Sequence, residues 1–375
     1  MLDYEFLKLV WWVLVGVLLI GWAIADGIDI GTAIVMPWVG KTDHERRVVI
    51  NTIAPHWDGN QVWLITAGGA LFAAWPLVYA ISFSGFYFAI LLVLFGLFFR
   101  PVGFDYRSKI ESAHWRGNWD RLIWVGSAVP SLVFGVAFGN LLQGVPFQVD
   151  TLMRASYTGT LFGLLNPFAL LCGVISVLML AAHGSLWLMA RADHVVAERA
   201  RGAVLWMLPL LALLFVLAGG WISLSGMGYR LIEIGDVSTA LQLTHKTVVM
   251  QPWLTDKGAY IWIAPVIALI SLTMAFVLAN RHKAGWGLAF SSLMMSGIIA
   301  TAGVAMFPFV MPSNLALNAS LTLWDATSSA RTLSVMFWVA LIMTPIILAY
   351  TTWCYAKMWR RLTVEHIKQE NHALY

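Results

Sequence analysis

The residues best suited to chemistry in this chain are charged side chains within apolar segments near its N-terminus. Asp26 and Asp29 are three positions apart, so both lie on one face of a helix. His56 and Asp58 open a second apolar segment, and Arg100 ends a third. Charged groups in apolar helices are costly and are retained for pairing or for function. We therefore expect these five residues to form one compensated cluster at a common depth.

Three interpretations of this cluster are open. The first is a structural ion-pair network in which Arg100 is the counter-ion and the pairs pin the helices together. The second is a site that admits or holds protons, because carboxylates in apolar surroundings can carry protons at neutral pH. The third is a cation site, which would need more carboxylates or unwound backbone than these segments offer.

Helical spacing divides the second segment into two stripes. His56, Asn60 and Trp63 share one stripe, whereas Asp58 and Gln61 share another. Asn60 and Trp63 could line a cavity or a channel, or they could pack against a partner helix. The spacing alone does not choose between these two roles.

The composition places the cluster in a membrane. Of the 375 residues, 60% are hydrophobic and 11% are charged, whereas soluble domains contain roughly 45–50% apolar and about 25% charged residues. The two cysteines lie in apolar stretches, so a disulfide scaffold is excluded. A net charge of +4 gives no reason to expect a nucleic-acid partner. We interpret residues 1–375 as a single, all-α, polytopic integral membrane domain.

Nine segments are long and apolar enough to span a membrane as helices, each of which needs about 20 residues. The second is the weakest because polar residues crowd its first turns. The predicted spans are 8–37, 55–76, 79–99, 122–142, 161–190, 203–225, 258–279, 285–311 and 332–356.

Lys and Arg residues orient the chain. Of the 23 such residues, 17 fall on the side that holds the C-terminus and 6 on the other side. Basic loops remain in the cytoplasm. We therefore expect the N-terminus to be periplasmic and the C-terminus to be cytoplasmic.

The connections between spans are short, with a few predicted features. The longest, 226–257, is expected on the periplasmic side and could hold a small ordered segment. Thr42 and Glu45 form a capping-box pattern that predicts a short helix along the cytoplasmic surface. Asp325 or Thr327 is expected to cap the ninth span, with a buried external polar patch as the alternative.

The sequence offers little for a cofactor. His183 is the other histidine within a span, and two buried histidines are a thin set for a haem-binding bundle. No Cys and His cluster has the spacing of a zinc site, and no glycine-rich loop suggests a nucleotide. We expect no metal ligands in this chain and assign no cofactor-binding residues.

Several long strings of residues resemble subunit II of cytochrome bd ubiquinol oxidase. The likeness runs from residue 1 to the terminal Leu374 and Tyr375, and the 226–257 connection differs most from familiar members. The strings that carry it are Ala54–Trp63, Ala67–Ala73, Phe98–Arg107, Gly135–Asn140, Phe307–Ser313 and Leu323–Ser329.

The resemblance implies a fold of two four-helix bundles plus one peripheral helix, in the inner membrane of a bacterium. It implies a homologous subunit I that carries haems b and d, while this subunit carries no haem ligands. The complex would oxidise ubiquinol or menaquinol and reduce dioxygen to water with cytoplasmic protons. Membrane lipids and small accessory subunits are further expected partners, and some members hold a structural quinone.

Within that resemblance we assign Asp58 as the first candidate for a proton path that faces the cytoplasm. His56, Asp29 and Asp26 are accessory groups and Arg100 is their counter-ion. A purely structural subunit without a proton role is the main alternative. A secondary transporter is a weaker one, because the chain shows no internal repeat.

Overall fold

The computed structural model describes residues 3–150, 152–240, 245–254 and 257–369. These ranges contain thirteen α-helices, of which the short ones connect or flank the long ones. The helices are α1 (Tyr4–Val39), α2 (Asp43–Asn51), α3 (Trp57–Ala74), α4 (Pro76–Gly85), α5 (Tyr87–Tyr106), α6 (Ala113–Gln143), α7 (Leu161–Leu164), α8 (Pro167–Arg191), α9 (His194–Ser225), α10 (Ile263–Asn280), α11 (Ala284–Met306), α12 (Ala330–Met358) and α13 (Val364–Gln369).

Three antiparallel, two-stranded hairpins lie at the end of the molecule where α1 begins. We call this the Lys8 end, because the Lys8 ammonium donates there to the carbonyls of Val237 and Trp324 at 2.7 and 2.6 Å. The opposite end, where α2 and Arg107 lie, is the Arg107 end. The strands are β1 (Phe147–Val149) with β2 (Ala155–Tyr157), β3 (Tyr229–Ile234) with β4 (Lys246–Met250), and β5 (Phe309–Met311) with β6 (Leu321–Thr322).

Nine helices of the described chain run between these two ends, as the sequence predicts. Eight helical segments are both long and apolar enough to cross a membrane. The ninth is α3, whose first turn carries Asp58 and Asn60 and is therefore less apolar. An odd number of crossings puts the start of α1 and the short helix α13 at opposite ends.

The third predicted span, 79–99, has the wrong boundaries. Pro76 begins a separate helix, α4, because proline fits the first position of a helix. The following helix, α5, continues through Arg100 and Pro101 to Tyr106. In the sequence, the charge of Arg100 suggests the end of a membrane span. In the structure, Arg100 lies inside α5 and its side chain is fully buried.

The long helices form two four-helix bundles and one peripheral helix, which confirms the expected architecture. The first bundle contains α1, α3, α5 and α6, and the second contains α8, α9, α10 and α11. The bundles meet where α8 packs on α1 and α6. The peripheral helix α12 rests on α1 and α3, and among its residues only Leu333 is buried.

Glycines bring α1 and α8 into direct backbone contact. A Cβ atom on Gly31 would lie 1.9 Å from the Leu180 carbonyl oxygen, and one on Gly184 would lie 2.1 Å from the Thr32 nitrogen. Small residues permit such close crossings in membranes, where packing rather than water drives association. Gly31 and Gly184 thus set how closely α1 and α8 approach.

The short helix α2 at the Arg107 end has the predicted capping box. The Thr42 hydroxyl accepts from the Glu45 backbone N–H at 3.3 Å, and the Glu45 carboxylate accepts from the Thr42 backbone N–H at 3.0 Å. Burial works to raise the pKa of Glu45, but hydrogen bonds from Thr42, Arg199 and Lys41 outweigh it and lower that pKa. The Glu45 carboxylate thus ties α2 to α9.

The predicted cap of the ninth span is wrong. Ser329 caps α12 by accepting from the Thr332 backbone N–H at 3.3 Å. Asp325 is instead buried, pairs with Lys246 of β4 and accepts from the Thr322 hydroxyl at 2.6 Å. The alternative, a buried polar patch at this end, is what the structure contains.

The 226–257 connection contains an ordered segment, the β3–β4 hairpin, as expected. The Tyr229 hydroxyl donates to the Gln143 carbonyl at 2.7 Å, and burial raises the pKa of Tyr229 to about 12. These contacts fix the hairpin on the end of α6. Residues 241–244 and 255–256 of the connection, and Leu374 and Tyr375, lie outside the described residues.

Candidate functional site

The first pair of the predicted cluster is a buried salt bridge between α1 and α5. Arg100 Nη2 donates to Asp26 Oδ1 at 2.8 Å, and both side chains are fully buried. The Trp22 indole N–H donates to Asp26 Oδ2 at 3.0 Å. The Arg100 Nε and Nη1 groups are buried without a hydrogen-bond partner in the described part of the chain. Arg100 and Asp26 therefore form a buried ion pair that joins α5 to α1.

The second pair joins α1 to the start of α3, one helical turn from the first. Asn60 Nδ2 donates to Asp29 Oδ2 at 2.8 Å, and His56 Nδ1 lies 3.5 Å from Asp29 Oδ1. Asp29 is fully buried, and its Oδ1 atom accepts no hydrogen bond from any described residue. A carboxylate oxygen without a donor beside an imidazole nitrogen is a place where one further proton can be held.

The hydrogen bonds of His56 define its neutral form. Its Nε2 lies 3.1 Å from the Thr52 carbonyl oxygen, which can only accept, so Nε2 carries the proton. Its Nδ1 then accepts from Asn60 Nδ2 at 3.1 Å. Nδ1 also lies 3.5 Å from Asp29 Oδ1, so a proton on Nδ1 would face that oxygen and would replace the hydrogen bond from Asn60.

Tyr355 of the peripheral helix completes the cluster, and sequence reasoning missed it. Its hydroxyl donates to Asn60 Oδ1 at 2.8 Å, and its ring centroid lies 4.8 Å from that of His56. The Asn60 amide therefore bonds to Asp29, His56 and Tyr355 at once. A tyrosine near the end of an apolar span is typical of a headgroup anchor, so the sequence carries no signal for this contact.

Asp58 does not join the cluster. It lies two positions from His56 on the other stripe of α3, and its side chain is exposed. Within the described ranges it forms no hydrogen bond and no ion pair. The expectation that all five residues form one compensated group is wrong for Asp58, because a helix turns through about 200° in two residues. Its place as first candidate for a proton path stays a prediction.

The two residues proposed to line a channel have different surroundings. Asn60 is buried in the cluster, whereas Trp63 is half-buried and packs its ring against α1. A Cβ atom on Gly21 would lie 2.5 Å from Trp63 Cε3, so the indole occupies the space that glycine leaves. A channel role for Trp63 and Asn60 also stays a prediction.

The buried histidines do not fit haem ligation. His183 Nδ1 lies 2.6 Å from the Ser291 hydroxyl, and His183 Nε2 lies 3.1 Å from the Ile24 carbonyl oxygen. His56 likewise uses both ring nitrogens, so neither imidazole offers a lone pair to an iron atom in this arrangement. The described residues contain no group of three His, Cys, Asp or Glu side chains that could hold a metal ion.

Fold and site together define a polytopic helical membrane protein with a buried acid–histidine cluster inside its first bundle, covered by the peripheral helix. The family model of cytochrome bd terminal oxidase subunit II matches residues 7–358. The chain belongs to the cytochrome bd terminal oxidase subunit II family, as its sequence strings predicted. It is therefore a membrane subunit of a quinol oxidase, an oxidoreductase complex of the respiratory chain.

Relatives match the chain over its whole length. Cytochrome bd-I ubiquinol oxidase subunit 2 of Escherichia coli is 53% identical over 379 residues, covering 100% of both chains. A probable cytochrome oxidase subunit 2 of Haemophilus influenzae is 49% identical over 384 residues, again covering 100% of both. Cytochrome bd ubiquinol oxidase subunit 2 of Bacillus subtilis is 29% identical and covers 94% of this chain and 96% of that protein.

A solved structure has the same fold. A chain of the bd oxidase from Geobacillus thermodenitrificans superposes with a TM-score of 0.67 at 14% sequence identity. The match covers 95% of this chain and 99% of that one. At this identity the likeness extends to the arrangement of helices alone.

Proposed function

We propose that this chain is the haem-free subunit II that supports a haem-bearing subunit I in quinol oxidation and in the reduction of dioxygen to water. Its family membership and the relatives named as ubiquinol oxidase subunits support this role. We further propose that it contributes a proton path which faces the cytoplasm. Small accessory subunits, membrane lipids and a structural quinone complete the expected set of partners.

The haems belong to subunit I in this proposal. Both histidines buried among the spanning helices already bond through both ring nitrogens. Haems b and d, when bound in the partner, would supply the electron transfer and the oxygen chemistry. The residues of this chain would hold the partner in place and handle protons.

The Arg107 end is cytoplasmic in this proposal, and the Lys8 end is periplasmic. The excess of Lys and Arg residues in the connections at the Arg107 end supports that orientation. The opening of α3, with Asp58 and His56, then lies at the cytoplasmic side of the membrane.

The observation that carries the proton role is the fully buried Asp29 carboxylate, 3.5 Å from His56 Nδ1. Asp58 lies at the start of α3, two positions from His56. Its side chain is exposed and points away from the other helices of this chain. In our proposal Asp58 collects a proton at the exposed surface of α3. His56 and Asp29 hold a proton behind it, and Arg100 balances the charge of Asp26.

The test is Asp58→Asn in the purified oxidase complex, with Asp105→Asn as the matched control. Asp105 is also an exposed carboxylate at the Arg107 end, but it lies on α5. We expect quinol-driven oxygen uptake to fall about tenfold or more in Asp58→Asn, in line with the loss of a proton-transfer group. Haem absorbance and the control should be unchanged.

Two other outcomes have clear meanings. Normal oxygen uptake in Asp58→Asn would remove the proton role. Loss of haem absorbance would instead favour the alternative of a purely structural subunit. The fully buried Arg100–Asp26 pair is the observation that favours that alternative, since such pairs can serve helix packing alone.

A further inference from the structure

A cleft at the Arg107 end lies between the end of α1 and the start of α6. Its volume is about 260 Å³. Gly117 leaves part of the cleft open, because a Cβ atom built on it would have no neighbouring atom within 4 Å. The residues that line it are Pro37, Arg46, Gly117, Asp120, Arg121 and Trp124.

The cleft belongs to a network with more positive than negative charge. Asp120 accepts from Arg107 Nε at 2.6 Å and from Arg46 Nη1 at 2.7 Å. Asp43 accepts from Arg107 Nη2 at 2.9 Å and from Arg116 Nη1 at 2.7 Å. Three guanidinium groups therefore share two carboxylates. The lining residue Asp120 is fully compensated, so it does not repel an anion.

The network also has more hydrogen-bond donors than acceptors. The indole N–H of Trp124, which lines the cleft, is buried and has no partner in the described part of the chain. Arg107 Nη1 and Arg116 Nε, which belong to the network behind the lining, are likewise buried without a partner there. Arg121, on the rim, is exposed and bonds only weakly to Asn118 Oδ1 at 3.3 Å. Buried donors require acceptors, and a phosphate group supplies several charged oxygen acceptors that guanidinium groups bind well.

The cleft lies at the depth of lipid headgroups. Pro37 and Trp38 are in the last turn of the first span, and the cleft residues of α6 are in the first turns of the third long span. The exposed Trp38 ring packs edge-on against Trp124, with centroids 6.3 Å apart. Indole rings favour this zone, where one end of a ligand is polar and the other is apolar.

The geometry points to a binding site for the phosphate of an anionic membrane lipid in the cleft between α1 and α6. Basic pockets between membrane helices bind such headgroups. A free phosphate ion has the same oxygen acceptors but no use for the apolar wall that Trp38 and Trp124 form. This site is separate from the Asp29–His56 cluster, so it stands whether or not the chain conducts protons.

The test uses the purified oxidase complex, partly delipidated in detergent and titrated with dioleoyl phosphatidylglycerol. Native mass spectrometry counts the lipid molecules that stay bound. Gly117→Leu fills the cleft without changing charge, and Gly202→Leu, also on an open helix face at the Arg107 end, is its matched control. Arg121→Gln removes one charge, with exposed Arg281→Gln as its control.

We expect the tightest-bound lipid to be lost from Gly117→Leu and to bind about tenfold more weakly in Arg121→Gln, as for one charge-assisted contact. Both controls should bind like the wild type, and excess inorganic phosphate should leave the lipid bound. The proposal is wrong if both cleft variants bind phosphatidylglycerol like the wild type. Displacement of the lipid by inorganic phosphate would also overturn it, since the site would then take the free ion.

Discussion

At the scale of single residues, the Asn60 amide links Asp29 to His56, and Tyr355 holds that amide in its orientation. The Tyr355 hydroxyl supplies the donor to Asn60 Oδ1, while the amide N–H groups reach Asp29 and His56. Without that hydroxyl, a buried amide oxygen loses its partner, which costs about 1–3 kcal/mol. Tyr355 therefore positions the two groups that we propose hold the proton.

We predict that Tyr355→Phe lowers both the thermal stability of the oxidase complex and its rate of quinol-driven oxygen uptake. The thermal midpoint should fall by roughly 2–4 °C, and quinol-driven oxygen uptake should decrease as Asn60 loses its fixed orientation. Tyr350→Phe is the control, because Tyr350 lies on the same helix and is exposed. Equal behaviour of the two variants would show that the contact between Tyr355 and Asn60 has no consequence.

Lys257 at the Lys8 end has an unusual environment for an ammonium group. It donates to the carbonyls of Ala305 and Phe307 at the carboxyl end of α11, and its Nζ lies 5.2 Å from the Trp253 ring centroid. Burial lowers the pKa of Lys257 from its ordinary 10.5 to about 8. Between these two pH values the unfolded chain keeps a proton that the folded chain has released.

This difference predicts how stability changes with pH. Stability rises with pH wherever the unfolded state binds more protons, so Lys257 should add stability as pH rises from about 8 toward 10.5. We expect the thermal midpoint of the wild type, relative to Lys257→Met, to rise by roughly 1–3 °C between about pH 7.5 and pH 9.5. Exposed Lys283→Met is the control. The prediction is wrong if the thermal midpoint of the wild type, relative to that of Lys257→Met, stays constant or falls as pH rises.

The sequence predicts part of this chemistry for physical reasons. A carboxylate and an arginine in neighbouring apolar helices must compensate each other, so the Asp26–Arg100 pair could be expected. Helical spacing also gives the shared stripe of His56 and Asn60. The side chain that faces them from α12 could not be predicted, because one tyrosine in an apolar helix does not reveal which helix it contacts.

At the scale of helices, the crossing of α1 and α8 depends on glycine. A methyl group on Gly31 would overlap the Leu180 carbonyl oxygen at 1.9 Å, and backbone atoms cannot move aside without separating the helices. Gly16 is on the same helix, yet a methyl group there would meet nothing within 4 Å.

We predict that Gly31→Ala costs at least about 3 kcal/mol of stability, the upper range for overpacking. Less of the complex should be recovered from membranes, and its thermal midpoint should fall. Gly16→Ala should have nearly the wild-type stability. If the two variants give the same yield and the same midpoint, the close contact does not control assembly.

Helix boundaries show where sequence reasoning loses accuracy. Apolar length predicts nine crossings, because each must match the thickness of the bilayer. The limits of α4 and α5 differ from expectation, because a buried ion pair lets Arg100 lie inside a span. The cap of α12 differs from expectation for a similar reason, because Asp325 pairs with Lys246 of a distant strand instead of capping the helix.

At the scale of the whole molecule, the proposed orientation can be tested directly. Ser238 is an exposed residue at the Lys8 end, and Glu111 is an exposed residue at the Arg107 end. The variants Ser238→Cys and Glu111→Cys therefore place one accessible thiol at each end. We predict that a membrane-impermeant maleimide labels Ser238→Cys in intact spheroplasts and labels Glu111→Cys only after lysis. The wild-type chain, with Cys172 and Cys354, gives the baseline. The reverse pattern would invert the topology and move Asp58 to the periplasmic side.

The two-bundle arrangement could be expected from the resemblance to known oxidase subunits, but not from composition. Hydropathy gives the number of helices, while the pairing of α8 with α1 and α6 depends on glycines and shape. The outward direction of Asp58 likewise follows from how α3 is rotated in the bundle. That rotation is set by packing, such as Trp63 against Gly21, rather than by polarity.

The contact between Tyr355 and Asn60 also bears on how the protein is made. The two residues are 295 positions apart, so at bacterial rates of about 5–20 residues per second the ribosome needs roughly 15–60 s to go from one to the other. During that interval Asn60 has been made but the tyrosine that donates to its side-chain oxygen has not. The buried cluster can therefore reach its final set of hydrogen bonds only after the last long helix has been synthesised.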